Sequence, residues 1–141
     1  MSVKWYGDKV MKALENANEA GLQAVAIDIE GQAKLLCPVQ DGRLRGSISH
    51  ATHTRRASGP DSVKTIPRKG EAIVGTGVEY AALVEYGTGI YGEPIAGRPT
   101  PRRQTPWVYF DEKLKKFFWT RGMKPRSFLR KAVDARRAVK P

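Results

Sequence analysis

Apolar residues recur every three or four positions in the first part of the chain. Only the polar Asn18 interrupts a series between Asp8 and Leu36 that consists of Met11, Leu14, Leu22, Val25, Ile29, Ala33 and Leu36. This spacing predicts one amphipathic helix. Unbroken, it would be about 43 Å long at ~1.5 Å per residue, which is more than a small core needs. We therefore expect part of its apolar face to contact another chain.

The pattern changes at Cys37-Pro38, where the helix should end because a proline forces the residue before it out of helical geometry. Two stretches, 47–56 and 71–76, have the composition of short strands. A second apolar repeat places Tyr80, Leu83 and Val84 on one face of a short helix over 78–86. Gly87 should close this helix in a left-handed conformation.

The rest of the chain combines aromatic runs with loops. Aromatic residues at 107–110 and 117–120 flank a charged stretch and predict a β-hairpin, with a helix as the alternative. Ser127 can cap a final helix that runs to about Val139. Segments 55–70 and 88–106 are rich in turn formers and cations, which predicts two extended, arm-like loops. A disordered hairpin tip is the alternative for the first of them.

Length and charge limit the classes of protein that fit. A chain of 141 residues is one domain, which we place at 1–141. Its 25 Lys and Arg residues outnumber its 14 Asp and Glu residues, which gives a net charge of +11. The basic residues are concentrated in separate stretches, a distribution that favours a partner surface over uniform solubilising charge. One cysteine cannot form an internal disulfide, and no apolar run reaches the ~18 residues of a membrane helix. We expect neither export nor membrane insertion.

The residue types that usually carry chemistry do not form a convincing site. His50 and His53 would point to opposite faces of a strand, and Cys37 fits a small buried side chain. Glu85 sits on an apolar helix, where an ion pair with Arg43 or Arg45 would be structural. We therefore expect no cofactor, no metal and no enzymatic activity, although a small basic nuclease remains a third hypothesis.

Basic loops and aromatic residues leave nucleic-acid binding open. The cationic segments could attract phosphates, and the side chains of Trp107, Tyr109, Phe118 and Trp119 could stack on bases. Aromatic residues in a hairpin more often form its core, and the chain has no recognised base-reading motif. A sequence-nonspecific nucleic-acid-binding protein is therefore the alternative function.

Four motifs in order give the chain its resemblance to a known family. They are Cys37-Pro38 followed by Gly42-Arg43-Leu44-Arg45-Gly46-Ser47-Ile48, then Ile73-Val74-Gly75-Thr76, then Tyr80-Ala81-Ala82-Leu83-Val84-Glu85-Tyr86-Gly87-Thr88, and Phe128-Leu129-Arg130-Lys131-Ala132. The chain resembles the tailed-phage head–tail joining or tail-completion proteins of the lambda-like siphophage gene-product-ten type. It departs from the family pattern at Asp41, Ser127 and Lys131.

The resemblance implies an α+β subunit in which a long helix packs on a mainly antiparallel β-sheet, together with a short helix and a C-terminal helix. It also implies a ring, expected to be a hexamer, that contacts the capsid connector or stopper and the tail tube or tail terminator. Genome DNA would pass through its lumen. Such a protein is assembled in the host cytoplasm and ends in the virion.

Within this interpretation the arm-like loops would reach neighbouring subunits. We expect their cations to pair with acidic partner surfaces, and the candidates are Arg55, Arg56, Arg68, Lys69, Arg98, Arg102 and Arg103. Contact between some of these residues and passing DNA ranks lower, because strong multivalent attraction would impede ejection.

Overall fold

The computed structural model describes residues 2–40, 42–95 and 105–139. It has the predicted α+β composition, with the long helix first and another helix at the C-terminal end. In chain order the elements are α1 (Gly7–Leu36), α2 (Arg43–Ser47), β1 (Ser49–Thr52), β2 (Ala72–Gly75), α3 (Ala81–Tyr86), a 3-10 turn (Gly89–Tyr91), β3 (Trp107–Asp111), β4 (Lys116–Thr120) and α4 (Phe128–Ala138).

Helix α1 confirms the first prediction over 30 residues. It ends where the proline requires, because Cys37 is extended at φ −67° and ψ 129° while its N–H still donates to the Ala33 carbonyl. Its buried residues are the small Ala26 and Ala33, which allow α4, β1 and β2 to approach closely. Met11 and Leu14, on the predicted apolar face, are 56% and 63% exposed.

The sheet is smaller than the predicted mainly antiparallel layer. β1 and β2 pair antiparallel, with Ser49 opposite Gly75 and Thr52 opposite Ala72, and pack on α1. β3 and β4 form a separate antiparallel hairpin. The predicted hairpin is thus confirmed, but it does not extend the sheet on which α1 packs.

One core joins the long helix, the family motifs and the C-terminal helix. Phe128 is fully buried and Ile48 is 1% exposed. They pack with Ala33, Cys37, Leu44, Val78, Ala81 and Ala132. Residues of three of the four motifs therefore fill the core, while the Val-Gly-Thr motif contributes β2 and a partly buried Val74.

The apolar face that the spacing predicts for α3 is not the face that the structure buries. Ala81 and Glu85 are buried, whereas Tyr80 and Leu83 are 40% and 51% exposed, and only Val84 of the predicted face packs on the core. Ala81 and Glu85 are four residues apart and share a face. The small alanine and the hydrogen-bonded carboxylate face the core because α4 needs both close contact and an acceptor there.

The segment 55–70 is not the free arm that its composition predicts. Its middle runs beside the β1–β2 sheet, where the Gly77 N–H donates to the Asp61 carbonyl at 2.6 Å and the Val63 N–H donates to Ser49 Oγ at 3.0 Å. Ser62 is 7% exposed. These hydrogen bonds to backbone and hydroxyl groups hold a segment with little apolar content against the body.

The first part of segment 88–106 is also held in place. The Thr88 N–H donates to the Met123 carbonyl and the Ile90 N–H to the Arg121 carbonyl, which ties the 3-10 turn to the base of the β3–β4 hairpin. A Cβ at Gly122 would collide with the Thr88 carbonyl oxygen, so this junction requires a glycine. The rest of this predicted arm, 96–104, lies outside the described residues.

Candidate functional site

Glu85 links α3 to the start of α4. Glu85 is 4% exposed, and its carboxylate accepts hydrogen bonds from the backbone N–H groups of Leu129 at 3.0 Å and Arg130 at 3.1 Å. The Arg130 Nε donates to the same carboxylate at 3.2 Å. The first N–H groups of a helix have no partner within the helix, and a negative charge there is favourable. Glu85 therefore fixes the position of α4 on α3.

The predicted ion pair of Glu85 with Arg43 or Arg45 is wrong. Glu85 pairs with Arg130, while Arg43 Nε donates to Asp61 Oδ2 at 2.8 Å. That hydrogen bond lowers the pKa of Asp61 from its ordinary value. The segment 55–70 brings Asp61 beside α2 because it folds along the sheet, a path that sequence spacing does not reveal.

Ser127 does not cap α4 with its side chain as predicted. It has left-handed backbone angles, φ 52° and ψ 39°, and its hydroxyl accepts from Arg130 Nη2 at 2.9 Å. Glu85 takes the capping role instead. The guanidinium of Arg130 also contacts Glu93, with Nη1 2.7 Å from Oε2, so this arginine joins α3, the following loop and α4.

Gly87 ends α3 at the predicted position, but its φ of 76° and ψ of 179° differ from the predicted left-handed helical conformation. A Cβ at this position would lie 2.6 Å from the Met123 carbonyl oxygen. The backbone angles and the close approach both require glycine. Among the remaining motif residues, Leu44 and Phe128 are buried, Leu129 is partly buried against the core, and Arg45 is exposed.

A groove of about 510 Å³ opens where the first and third motifs meet the segment that leads from β4 to α4. The described residues that line it are Pro38, Gln40, Gly42, Arg43, Leu44, Tyr80, Val84, Met123 and Arg126. Apolar walls with two guanidinium groups suit contact with a protein segment more than acid–base chemistry, which requires a proton donor and acceptor of matched pKa.

Four of the predicted contact cations lie at one end of the β1–β2 sheet. Arg55 and Arg56 follow β1, while Arg68 and Lys69 precede β2, and the antiparallel pairing of Thr52 with Ala72 brings the two ends of the segment together. All four residues are exposed. Lys69 Nζ lies 2.7 Å from Glu15 Oε1 on α1, so that cation already has a partner within the chain.

Arg98, Arg102 and Arg103, the other three predicted contact residues, lie outside the described residues.

Two exposed apolar surfaces lie outside the predicted contact cations, and one of them is on α1, where the sequence predicts that part of the apolar face contacts another chain. The first, the helix stripe, consists of Tyr6, Val10, Met11 and Leu14 at the start of α1. The second, the hairpin face, consists of Val108, Phe110, Phe117 and Trp119. Their alternation and spacing are visible in the sequence, but the same patterns also describe covered elements, so only the structure shows that both surfaces are bare.

The other candidate groups have local explanations. Burial raises the pKa of the Cys37 thiol, as expected of a small core side chain. His50 Nδ1 and Glu30 form a hydrogen bond between β1 and α1. Within 2–40, 42–95 and 105–139, no group of three or more His, Cys, Asp or Glu side chains could hold a metal ion. None of the helices described there is long and apolar enough to cross a membrane.

Comparison with known proteins identifies the family. Residues 3–87 match the family model described as "Bacteriophage HK97-gp10, putative tail-component". Searches of curated proteins and of solved structures give no significant match. The matched region includes α1, the β1–β2 sheet and α3 through Gly87, so it covers the first two motifs and all of the third except Thr88. Because it spans more than half of the chain, the protein belongs to this family of bacteriophage tail components.

Proposed function

We propose that this tail component is a structural virion protein that forms a closed ring at the head–tail interface. The ring joins the capsid connector to the tail tube and lets DNA pass through its lumen. The observation that carries the proposal is the bare apolar surface on two separate elements of the chain, the helix stripe and the hairpin face. A subunit of a closed ring has two different surfaces covered by its two neighbours.

The partners are further copies of the chain, expected to number six, the connector or stopper on the head side and the tube or terminator on the tail side. The exposed cations at one end of the β1–β2 sheet are well placed for acidic partner surfaces. Exposed charges of this kind contribute to orientation and association rate more than to affinity. Arg98, Arg102 and Arg103 are assigned the same role from the sequence.

Deletion of the gene tests the function. Without the protein, infected cells should accumulate DNA-filled heads and separate tails, and supplying the protein in trans should restore joined particles. Normal, infectious particles formed in its absence would refute the proposal.

Charge reversal tests the cations. Arg55→Glu with Arg56→Glu should abolish joining while the purified protein keeps its circular dichroism spectrum and unfolding midpoint. Lys131→Glu with Arg137→Glu on α4 changes the net charge equally and is the matched control, because neither residue belongs to the proposed contact set. Joining at the normal level in the first variant would refute the role of these arginines.

A measurement of DNA binding by the isolated protein distinguishes the alternative function from the proposed structural role. A nucleic-acid-binding protein should retain DNA on a filter with an affinity that falls steeply as salt increases. We expect weak retention that the Lys131/Arg137 variant and the Arg55/Arg56 variant reduce alike. Tight binding by the wild-type chain would favour the alternative.

A further inference from the structure

The β3–β4 hairpin presents one face that is entirely apolar. Successive side chains of a strand alternate between its two faces, and residues opposite each other in the register share a face. Val108 is paired with Trp119, and Phe110 with Phe117, so these four side chains lie together. Trp119 and Phe117 are 75% and 73% exposed, and the other two are nearly half exposed.

This face is large for a surface that stays in water. Free aromatic side chains have areas of about 150–250 Å², so at these exposures the four residues present on the order of 500 Å². Single-chain proteins seldom expose more than a few hundred Å² of continuous apolar surface. A two-stranded hairpin is also marginally stable by itself in water. Both considerations indicate that the hairpin is covered in its working state.

The helix stripe is a second bare surface, distant along the chain from the first. Val10 and Leu14 are one turn apart, Tyr6 precedes them by another turn, and Met11 lies beside them. They are between 53% and 64% exposed and offer roughly 400 Å². The first buried residue of α1 is Ala26, about 18 Å farther along the helix from Leu14. The start of α1 therefore extends beyond the core.

We propose that the hairpin face of one copy packs on the helix stripe of the next copy. This inference rests on the proposed ring, in which each copy must offer two different, complementary surfaces. The areas agree with it: a standard interface buries about 800 Å² on each partner, and a little more than half of that is apolar. Each of the two surfaces supplies approximately that apolar share. An α-helix on the flat face of a sheet is also a common packing arrangement.

Cysteine cross-linking between different copies tests the contact. Val10→Cys and Val108→Cys place thiols on the two surfaces with little change in volume, and Val39→Cys, 59% exposed and outside both, is the matched control. Cys37 is 5% exposed, so it should not react in the folded protein. The variants carry tags of different mass, and mixtures are treated with a short bis-maleimide linker.

The proposal predicts efficient linking of the Val10→Cys chain to the Val108→Cys chain, and much less linking in mixtures that contain Val39→Cys. Two results would overturn it. One is preferential linking of Val108→Cys chains to each other, which would indicate a symmetric contact between hairpins. The other is a Val10–Val108 yield no higher than that of the control.

Loss of affinity provides a second test. Trp119→Ser should raise the dissociation constant for self-association about 30-fold, the equivalent of ~2 kcal/mol for one buried aromatic anchor, as measured by sedimentation velocity. Met11→Ser should also weaken association, whereas Leu35→Ser, at an equally exposed apolar residue outside both surfaces, should not. All three residues are exposed in the single chain, so its circular dichroism should be unchanged. Wild-type association in Trp119→Ser would overturn the proposal.

Failure of this inference and failure of the proposed function give different results. If the deletion blocks head–tail joining but Trp119→Ser and Met11→Ser restore it fully, the ring role stands and the contact between these surfaces is refuted. If the cross-links form but the deletion leaves particles normal, the contact stands and the role at the head–tail interface is refuted.

Discussion

The carboxylate of Glu85 should contribute more to folding stability than its arginine partner does. Glu85→Ala removes an acceptor of three hydrogen bonds and leaves the N–H groups of Leu129 and Arg130 without their partner. Arg130→Ala removes one of those three bonds together with the guanidinium contacts to Glu93, Ser127 and the Glu85 carbonyl, and Glu85 keeps both backbone donors. The two substitutions therefore separate helix capping from the contacts of the guanidinium.

The structure sets the expected magnitudes. Hydrogen bonds to a charged group contribute about 1.5–3 kcal/mol each, and Glu85→Ala loses such a bond at two backbone N–H groups, so we expect a cost of about 3–5 kcal/mol. Arg130 has a side chain that is 44% exposed, so solvent screens its ion pair and Arg130→Ala should cost about 1 kcal/mol. For a domain of this size the melting temperatures should fall by about 10–15 °C and about 3 °C.

Urea unfolding followed by circular dichroism gives both free energies. The protein concentration must be the same for every variant, because self-association stabilises the folded state. Glu79→Ala, at an exposed carboxylate just before α3, is the matched control and should change the unfolding free energy little. If Arg130→Ala costs as much as Glu85→Ala, or if Glu85→Ala costs under about 1 kcal/mol, the capping role is refuted.

Three further predictions concern single positions. Gly87→Ala should lower the unfolding free energy by about 2–3 kcal/mol because φ is 76° and the added Cβ meets the Met123 carbonyl. Gly31→Ala in α1, where a Cβ has open space, should instead stabilise the fold by up to ~1 kcal/mol. Equal urea midpoints for the two variants would contradict this. Arg43→Met should raise the pKa of Asp61 toward its ordinary value in an NMR titration. Because the pKa is lowered, ionised Asp61 stabilises the fold at pH values above the ordinary carboxyl pKa, and this stabilisation is lost as pH falls through the folded value. The variant should therefore lose less stability on acidification. An unchanged Asp61 titration would disprove the pairing. Cys37 should react with a maleimide at the rate of global unfolding, since burial raises its pKa and covers it; rapid labelling of folded protein would contradict its place in the core.

The elements could be predicted from the sequence because their signals are local. The helix ending at Leu36 follows from apolar spacing and Pro38, and the hairpin follows from two aromatic runs around a charged turn. The glycine after α3 follows from the need to stop a helix. Each of these signals depends on residues close together in the chain, so each can be read without any knowledge of the tertiary structure.

Contacts between distant segments could not be predicted in the same way. The partner of Glu85 is Arg130, 45 residues away, and the partner of Arg43 is Asp61, which its segment reaches only by folding along the sheet. The amino-acid composition also predicted the wrong segment to be exposed. The cationic segment 55–70 is hydrogen-bonded to the body, while the hairpin, whose aromatic residues suggested a core, is exposed on its apolar face.

Cryo-electron microscopy of intact phage particles tests the central claim most directly. A tag fused to this protein would identify its density, and a reconstruction of the head–tail junction would resolve the arrangement of its copies. We predict a closed ring of this chain between the capsid connector and the tail tube, surrounding the DNA path. Density for the tag at another position in the particle, or a junction without the chain, would contradict the account.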